Sequence, residues 1–145
     1  MSDLIDEKDL NRALEAMYFG FNALIAKPDE CLKQLGMSRV HHRILYFIGR
    51  NPECSVGELL ERLKASKQYI NRPLRRLIEQ GYVIAKPDEN DRRIKRLSLS
   101  AKGEKLENKL SGGQREHFAK VFSKAGKKSC DGWFLVMNLL SEQKD

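Results

Sequence analysis

One stretch of the chain, residues 66–100, limits the possible fold more than any other. Its first half repeats apolar residues at helical spacing after Ser66, whose hydroxyl can cap a helix, and it ends at Gly81, which suits a left-handed helix end. Its second half has two strand-like runs joined by the turn-forming residues 87–91. The stretch therefore predicts a helix followed by a β-hairpin with a charged tip.

The outer face of this predicted helix carries amides and guanidinium groups, which can form paired hydrogen bonds with base edges. By that chemistry, Gln68 and Asn71 suit adenine and Arg72 suits guanine. Three further cations suit contacts with phosphates: Arg75, Arg76 and Lys95. Such contacts give affinity without sequence preference. A basic helix face is usually just a solvated surface. The order of helix, glycine, strand, charged tip and strand therefore indicates nucleic-acid binding more specifically than the basic face does.

The hairpin tip carries two arginines, and positive charge is in excess over the whole chain. A thin ribbon that ends in Arg92 and Arg93 suits a narrow minor groove, where the negative potential is enhanced. The formal charge of +7 on 145 residues also favours a polyanionic partner. Net charge alone does not distinguish DNA from RNA or from a membrane surface.

Length and composition set the remaining limits. The length suits one domain over residues 1–145, and no apolar run approaches the roughly 18 residues that would span a bilayer. The acidic N-terminus lacks a secretory apolar region, so we expect a cytoplasmic protein without membrane contact. Three cysteines without a CxxC pair argue against a disulfide framework and a structural zinc site. We therefore expect no cofactor and no metal.

The residues before the organising stretch are predicted to be helical. A long amphipathic helix over residues 6–26 is expected to stop at Lys27-Pro28, with a short helical turn over residues 29–35. Ser38 can cap a helix over residues 39–50, and Ser55 with Glu58 forms a capping box for a shorter one. Two short helices joined by a tight turn, the second of them basic, predict a helix-turn-helix, and the hairpin makes it a winged one.

The C-terminal part is also predicted to be helical. Ser100 can cap a helix that should bend or break at Gly112-Gly113, and a final helix is expected over residues 129–140. The expected fold is mainly α with a small β-hairpin wing (α+β). Its winged core covers about residues 37–100, and dimerisation helices cover about residues 6–35 and 101–142. In a homodimer the two basic helices would lie about one DNA turn, roughly 34 Å, apart and face a palindromic operator.

Four segments of this sequence resemble the MarR family of bacterial and archaeal transcription regulators. They read LGMS, SVGELLERL, LIEQGYV and DENDRRIKRLSLSAKG. The last is similar to the family's wing pattern, an Asp-x-Arg followed by Leu-Ser/Thr-x-x-Gly. The matching positions are Asp91, Arg93, Leu99, Ser100 and Gly103.

The resemblance implies a dimer that represses genes by covering their promoters. It places the start of the recognition helix near bases or phosphates, at Ser66, Lys67, Gln68, Asn71 and Arg72. It also implies that Arg93 enters the minor groove and that Asp91 supports the wing by holding an arginine. The sequence departs from the family at Ala85, where a basic residue is common, and at Pro73, which can kink the recognition helix.

The resemblance further implies a sensing function. Family members often bind small aromatic or phenolic effectors between the dimer helices and the winged core. Met17, Tyr18, His42 and Tyr46 could line such a pocket, although the same residues suit a core or an interface. A redox-sensing branch of the family makes Cys31 a candidate sensor, but a sensor thiol needs exposure and a low pKa.

Two other classes of function stay open from the sequence. A winged-helix protein-interaction module could use the same basic face on an acidic protein. An enzyme is disfavoured because the chain has no GxSxG, P-loop, dinucleotide or HExxH motif, although catalytic groups can be dispersed. Preference for one DNA sequence would distinguish a regulator from the interaction module.

Overall fold

The computed structural model describes residues 5–142 and confirms the predicted winged helix-turn-helix fold between long terminal helices. Six helices and three short strands follow in order over the described residues. They are α1 (Glu7–Gln34), α2 (Arg39–Arg50), β1 (Cys54–Ser55), α3 (Val56–Leu63), α4 (Lys67–Glu79), β2 (Val83–Pro87), β3 (Lys95–Leu99), α5 (Ala101–Ala125) and α6 (Lys127–Ser141). Within residues 5–142, none of the helices combines the length and the apolar character that a bilayer span requires.

Serine hydroxyls begin three of the helices, as the sequence predicts. The hydroxyl oxygens of Ser55, Ser66 and Ser100 each accept a hydrogen bond from the backbone N–H three residues later, at 3.0–3.1 Å. Each bond pairs a first-turn N–H group that has no partner within the helix. Gly81 takes the expected left-handed conformation after α4, with φ of +82°. Local chemistry therefore sets the ends of the elements around α4.

The predicted interruption of the first helix at Pro28 is wrong. Helix α1 runs unbroken from Glu7 to Gln34, so residues 29–35 are not a separate turn. Ile25, Pro28 and Leu32 form its buried face, and Leu32 belongs to the hydrophobic core. Burying this face offsets the backbone hydrogen bond that the proline removes.

Of the bend or break predicted at Gly112-Gly113, the break is wrong, because α5 continues through both glycines. Leu110 and Ser111, directly before them, are buried, and the Ser111 hydroxyl lies 3.0 Å from Nε2 of His42 on α2. These contacts hold α5 on α2 and offset the loss of about 1 kcal/mol that each glycine causes relative to alanine.

The sheet has one strand more than the predicted hairpin. The strand order is β1-β3-β2, all antiparallel, so β3 is central. In β1, Cys54 pairs with Leu97, and the N–H of Glu53 donates to the Leu97 carbonyl at 2.8 Å. This short strand attaches the base of the wing to the start of α3.

The hydrophobic core lies between α4, the sheet and helices α1, α2, α3 and α5. Its fully buried members are Leu32, Ile44, Leu45, Ile48, Leu59, Ile70, Leu77, Val83, Leu97 and Leu110. Helix α4 contributes Ile70, Leu74 and Leu77, so its opposite face is left exposed. Burying each such side chain stabilises the fold by about 1.5–3 kcal/mol.

Substituting Gly103 tests the close approach of α5 to the wing. A Cβ at Gly103 would lie 2.0 Å from the backbone carbonyl oxygen of Tyr82, whereas one at Gly113 would meet nothing within 4 Å. We expect Gly103→Ala to lower the free energy of unfolding by about 2 kcal/mol or more. Gly113→Ala, the matched control in the same helix, should raise it by up to about 1 kcal/mol. Thermal unfolding followed by circular dichroism measures both, and equal stabilities would contradict the close approach.

Candidate nucleic-acid interface

The exposed face of α4 carries the residues that the sequence singles out for nucleic-acid contact. Those that lie on this face or at its N-cap are Ser66, Lys67, Gln68, Asn71, Arg72 and Arg75. Within residues 5–142, the side chains of Lys67, Arg72 and Arg75 make no hydrogen bond or ion pair with other parts of the protein. Their charges are therefore available to a partner.

A groove of about 720 Å³ brings this face together with the wing. The cationic and amide side chains that line it are Lys67, Asn71, Arg75, Arg93, Lys95 and Arg96. Glu58 and Glu79 also line the groove and partly offset its positive charge. The structure thus joins predicted contacts from α4 and from the hairpin into one surface.

The wing tip is held by an aspartate–arginine pair. Both carboxylate oxygens of Asp91 accept hydrogen bonds from the Arg93 guanidinium, each at 3.0 Å, and the Arg93 backbone N–H adds a third at 3.1 Å. These bonds hold the pKa of the Asp91 carboxyl below its usual range. The Arg93 side chain is nevertheless 91% exposed. Asp91 therefore orients an arginine that still faces solvent, which is the geometry that a wing-supporting role requires.

A second set of ion pairs, which the sequence reading missed, fastens the wing to α3. The guanidinium of Arg96 donates to Asp88 at 2.9 Å and to Glu58 at 3.2 Å. Glu58 also accepts from the Ser55 N–H at 2.8 Å within the capping box. Asp88 in turn accepts the backbone N–H of Asp91 at 3.0 Å. The capping box identified Glu58, but its pairing with Arg96 depends on strand register and tertiary contact.

Arg76 has a different environment from the other cations of α4. Its side chain is half-buried, and its guanidinium donates to the backbone carbonyls of Leu35, at 2.9 Å, and Gly36. Two of its donors are thus already bonded inside the protein, and the phosphate contact that the sequence suggested for Arg76 stays a prediction.

The four candidate effector-pocket residues lie in different environments. Met17 and Tyr18 are exposed on α1, while His42 is buried between α2 and α5. Tyr46 is partly exposed on α2, with its ring 4.7 Å from the guanidinium carbon of Arg50. None of the four lines the groove beside α4. An effector pocket at these residues stays a prediction.

The cysteines of the described residues are all free thiols. Cys31 is half-buried and packs against the hydrophobic core. Cys54 is buried within β1, and burial raises the pKa of its thiol. The position of Cys31 gives no support to the redox-sensing alternative, because a sensor thiol needs open access to solvent.

The fold and this surface define a winged helix-turn-helix protein, and comparison with known proteins identifies its family. Residues 35–94 match the family model described as the MarR family. The chain is 34% identical over 138 residues to the HTH-type transcriptional regulator PetP of Rhodobacter capsulatus, covering 95% of this chain and 83% of PetP. It is 29% identical over 118 residues to the HTH-type transcriptional regulator BilQ of Clostridium symbiosum, covering 79% and 82%. The chain belongs to the MarR family of transcription regulators.

Solved structures show the same fold at lower identity. FabT of Streptococcus pneumoniae, solved in complex with DNA, is 19% identical, with a TM-score of 0.82 over 94% of this chain and all of FabT. The crystal structure of MarR is 22% identical, with a TM-score of 0.68 over 98% of this chain and 92% of MarR. The long terminal helices are therefore part of the shared fold.

Acid should weaken the contact between α2 and α5 through His42. Burial lowers the pKa of His42, and the Glu107 carboxylate opposes this less strongly. The unfolded chain then takes up the proton at a higher pH than the folded chain. The free energy of unfolding should therefore fall as the pH drops below about 6.5, the ordinary histidine pKa.

Urea unfolding between about pH 7 and about pH 5 measures this dependence. His42→Gln should flatten it, and His117→Gln, at an exposed histidine of α5, should leave it unchanged. His41, whose pKa is also lowered by burial, should retain part of the dependence in both variants. A His42 variant as acid-sensitive as the wild type would contradict the assignment.

Proposed function

We propose that this protein is a cytoplasmic homodimeric repressor that binds a palindromic operator in double-stranded DNA and is released by a small-molecule effector. The observation that carries the proposal is the single surface formed by the exposed amides and cations of α4 and the wing arginine. FabT, which shares the fold, has been solved in complex with DNA, and this supports the same use of the surface here.

In the proposed complex α4 enters the major groove. Gln68 and Asn71 pair with adenine and Arg72 with guanine, because amides and guanidinium groups match the edges of these bases. Lys67, Arg75 and Lys95 contact phosphates and give affinity without sequence preference. Arg93 enters the adjacent minor groove.

Exposed apolar side chains on the terminal helices support the proposed dimer. On α1 they recur at helical spacing as Leu10, Leu14, Met17 and Phe21, and on α6 they are Phe134, Leu135, Val136, Leu139 and Leu140. Apolar patches of this extent usually mark an interface. A second copy of the chain would cover both helices and set two α4 helices against two halves of a palindrome.

The effector is proposed to bind where the terminal helices meet the winged core, within the dimer. The Tyr46 ring and the Arg50 guanidinium lie together on α2 near this junction, and Arg50 also donates to both carboxylate oxygens of Glu107 on α5 at 3.4 Å. A small aromatic acid would stack on the Tyr46 ring, and its carboxylate would compete with Glu107 for Arg50.

Selection from a pool of random duplexes tests the proposed function and yields the operator sequence in the same experiment. We expect enrichment of a palindrome that the protein binds at least ~10³-fold more tightly than a scrambled duplex. Weak and equally salt-dependent binding to every duplex would overturn the proposal, and it would favour an acidic protein partner for the basic face.

Removing the wing arginine should weaken operator binding at least roughly tenfold, because Arg93 is the cation that Asp91 orients at the tip. The matched control is Arg92→Ala, next to it at the same exposed tip. Fluorescence anisotropy with the selected palindrome measures both. Equal losses for Arg93→Ala and Arg92→Ala would contradict the specific assignment of Arg93.

Charge placed in the apolar faces should dissociate the proposed dimer. Leu14→Glu and Leu139→Glu, at residues that are 71% and 57% exposed, should each raise the dimer Kd at least about tenfold, because a buried unpaired carboxylate is unfavourable. Ala23→Glu, on the opposite face of α1 by helical spacing, is the control. Sedimentation equilibrium measures the three constants. A dimer unaffected by both leucine substitutions would place the interface elsewhere.

A further inference from the structure

We propose that Arg76 is a positioning residue that fixes the direction of α4 relative to the dimerisation helix α1, and that it thereby sets the operator half-site spacing that the protein accepts. The inference rests on the proposed function. It gives Arg76 a role distinct from that of Lys67, Arg72 and Arg75, the other cations of α4, which face solvent.

The contact joins the last turn of α4 to the C-terminal end of α1. The guanidinium of Arg76 donates through one nitrogen to the Leu35 carbonyl, at 2.9 Å, and through another to the Gly36 carbonyl. Leu35 is the C-cap of α1, so these carbonyls belong to the negative end of the helix dipole. A planar guanidinium can bond both at once, which fixes an angle as well as a distance.

Gly36 is shaped to receive this side chain. Its φ of +69° lies in the left-handed region that favours glycine. A Cβ at this position would lie 3.0 Å from one terminal nitrogen of Arg76 and 3.7 Å from the other. The turn that ends α1 therefore has both the conformation and the open space that the contact needs.

His41, whose pKa the charge of Arg76 lowers, adds no second cation beside the guanidinium. Nδ1 of His41 accepts a hydrogen bond from the Ser38 N–H at 3.0 Å, so this nitrogen carries no proton. Burial and the Arg76 charge both lower the pKa of His41, which keeps the imidazole neutral. The Arg76 guanidinium, and not an imidazolium of His41, is thus the cation beside the Leu35 and Gly36 carbonyls.

A second contact holds the end of α4 to α5. The Lys102 ammonium donates to the Gln80 carbonyl at 2.8 Å and lies 4.3 Å from the centre of the Tyr82 ring. Helix α4 is therefore fastened at its C-terminal end to both α1 and α5. These contacts hold that end of the helix, and the buried stripe of Ile70, Leu74 and Leu77 holds its inner face on the core. Together they define its direction.

The consequence for a dimer is geometric. The helices that hold the two copies together would also orient the two α4 helices, and the distance between them must match the separation of the half-sites. Loss of the Arg76 contact releases the C-terminal end of α4 from α1, so that the helix can adopt a range of directions. The protein should then tolerate operators with altered spacing.

The experiment compares Arg76→Gln with Arg75→Gln on the selected palindrome and on versions with one base pair added or removed at its centre. Arg76→Gln should weaken binding to the palindrome at least roughly tenfold and reduce the preference for its spacing from at least ~10-fold to under ~3-fold. Its affinity should keep the salt dependence of the wild type. Arg75→Gln should instead keep the spacing preference and lower the salt slope by about 0.9 per lost phosphate contact.

A further variant guards against misfolding. Arg76→Lys keeps the charge but offers one ammonium to two carbonyls. It should relax the spacing preference at an unchanged salt slope. A lower salt slope with intact spacing preference in Arg76→Gln would overturn the inference and make Arg76 a phosphate contact. A wild-type protein that selects no palindrome would overturn the proposed function itself, which is a distinguishable result.

Discussion

The structure depends on the burial of one apolar stripe of α4. Ile70, Leu74 and Leu77 insert between α2, the sheet and the other helices of the core. Because these residues face inward, Asn71, Arg72 and Arg75, which lie between them in the sequence, must face outward. A change that rotated the helix would bury guanidinium groups without partners, which is strongly unfavourable. One packing interaction thus stabilises the core and selects the surface that the protein presents.

Ion pairs help to fix the position of the wing, whereas buried apolar side chains fix the position of α4. A hairpin of two short strands is marginal by itself in water. Here β1 adds a third strand, and Arg96 links the loop residue Asp88 to Glu58 of α3. The tip therefore has a defined place relative to α4, and the groove between them is a fixed feature of the surface.

The sequence was sufficient to predict features that depend on neighbouring residues. Serine caps, the glycine that ends α4 and the apolar spacing of each helix are local, and they gave the fold class, the order of the elements and most of the exposed face of α4. The errors arose where distant contacts override local preference. Pro28 stays in a helix because its face is buried, and α5 continues through its two glycines because the preceding turn packs on α2. Arg76 donates to the carbonyl of Leu35, and Arg96 donates to the carboxylate of Glu58. Each partner lies some 40 residues away in the chain. No pattern in one sequence pairs such residues.

The pairing of Asp91 with Arg93 has a thermodynamic consequence. A free arginine side chain gives up about 1.5–2 kcal/mol of rotamer entropy when it is immobilised. Here two hydrogen bonds from the guanidinium already restrict the rotamers while the side chain remains open to solvent. Much of that entropy is lost when the chain folds and not when a partner arrives. A ligand that meets this wing tip would therefore bind a preorganised cation, with a smaller unfavourable entropy of association than a mobile lysine or arginine would impose.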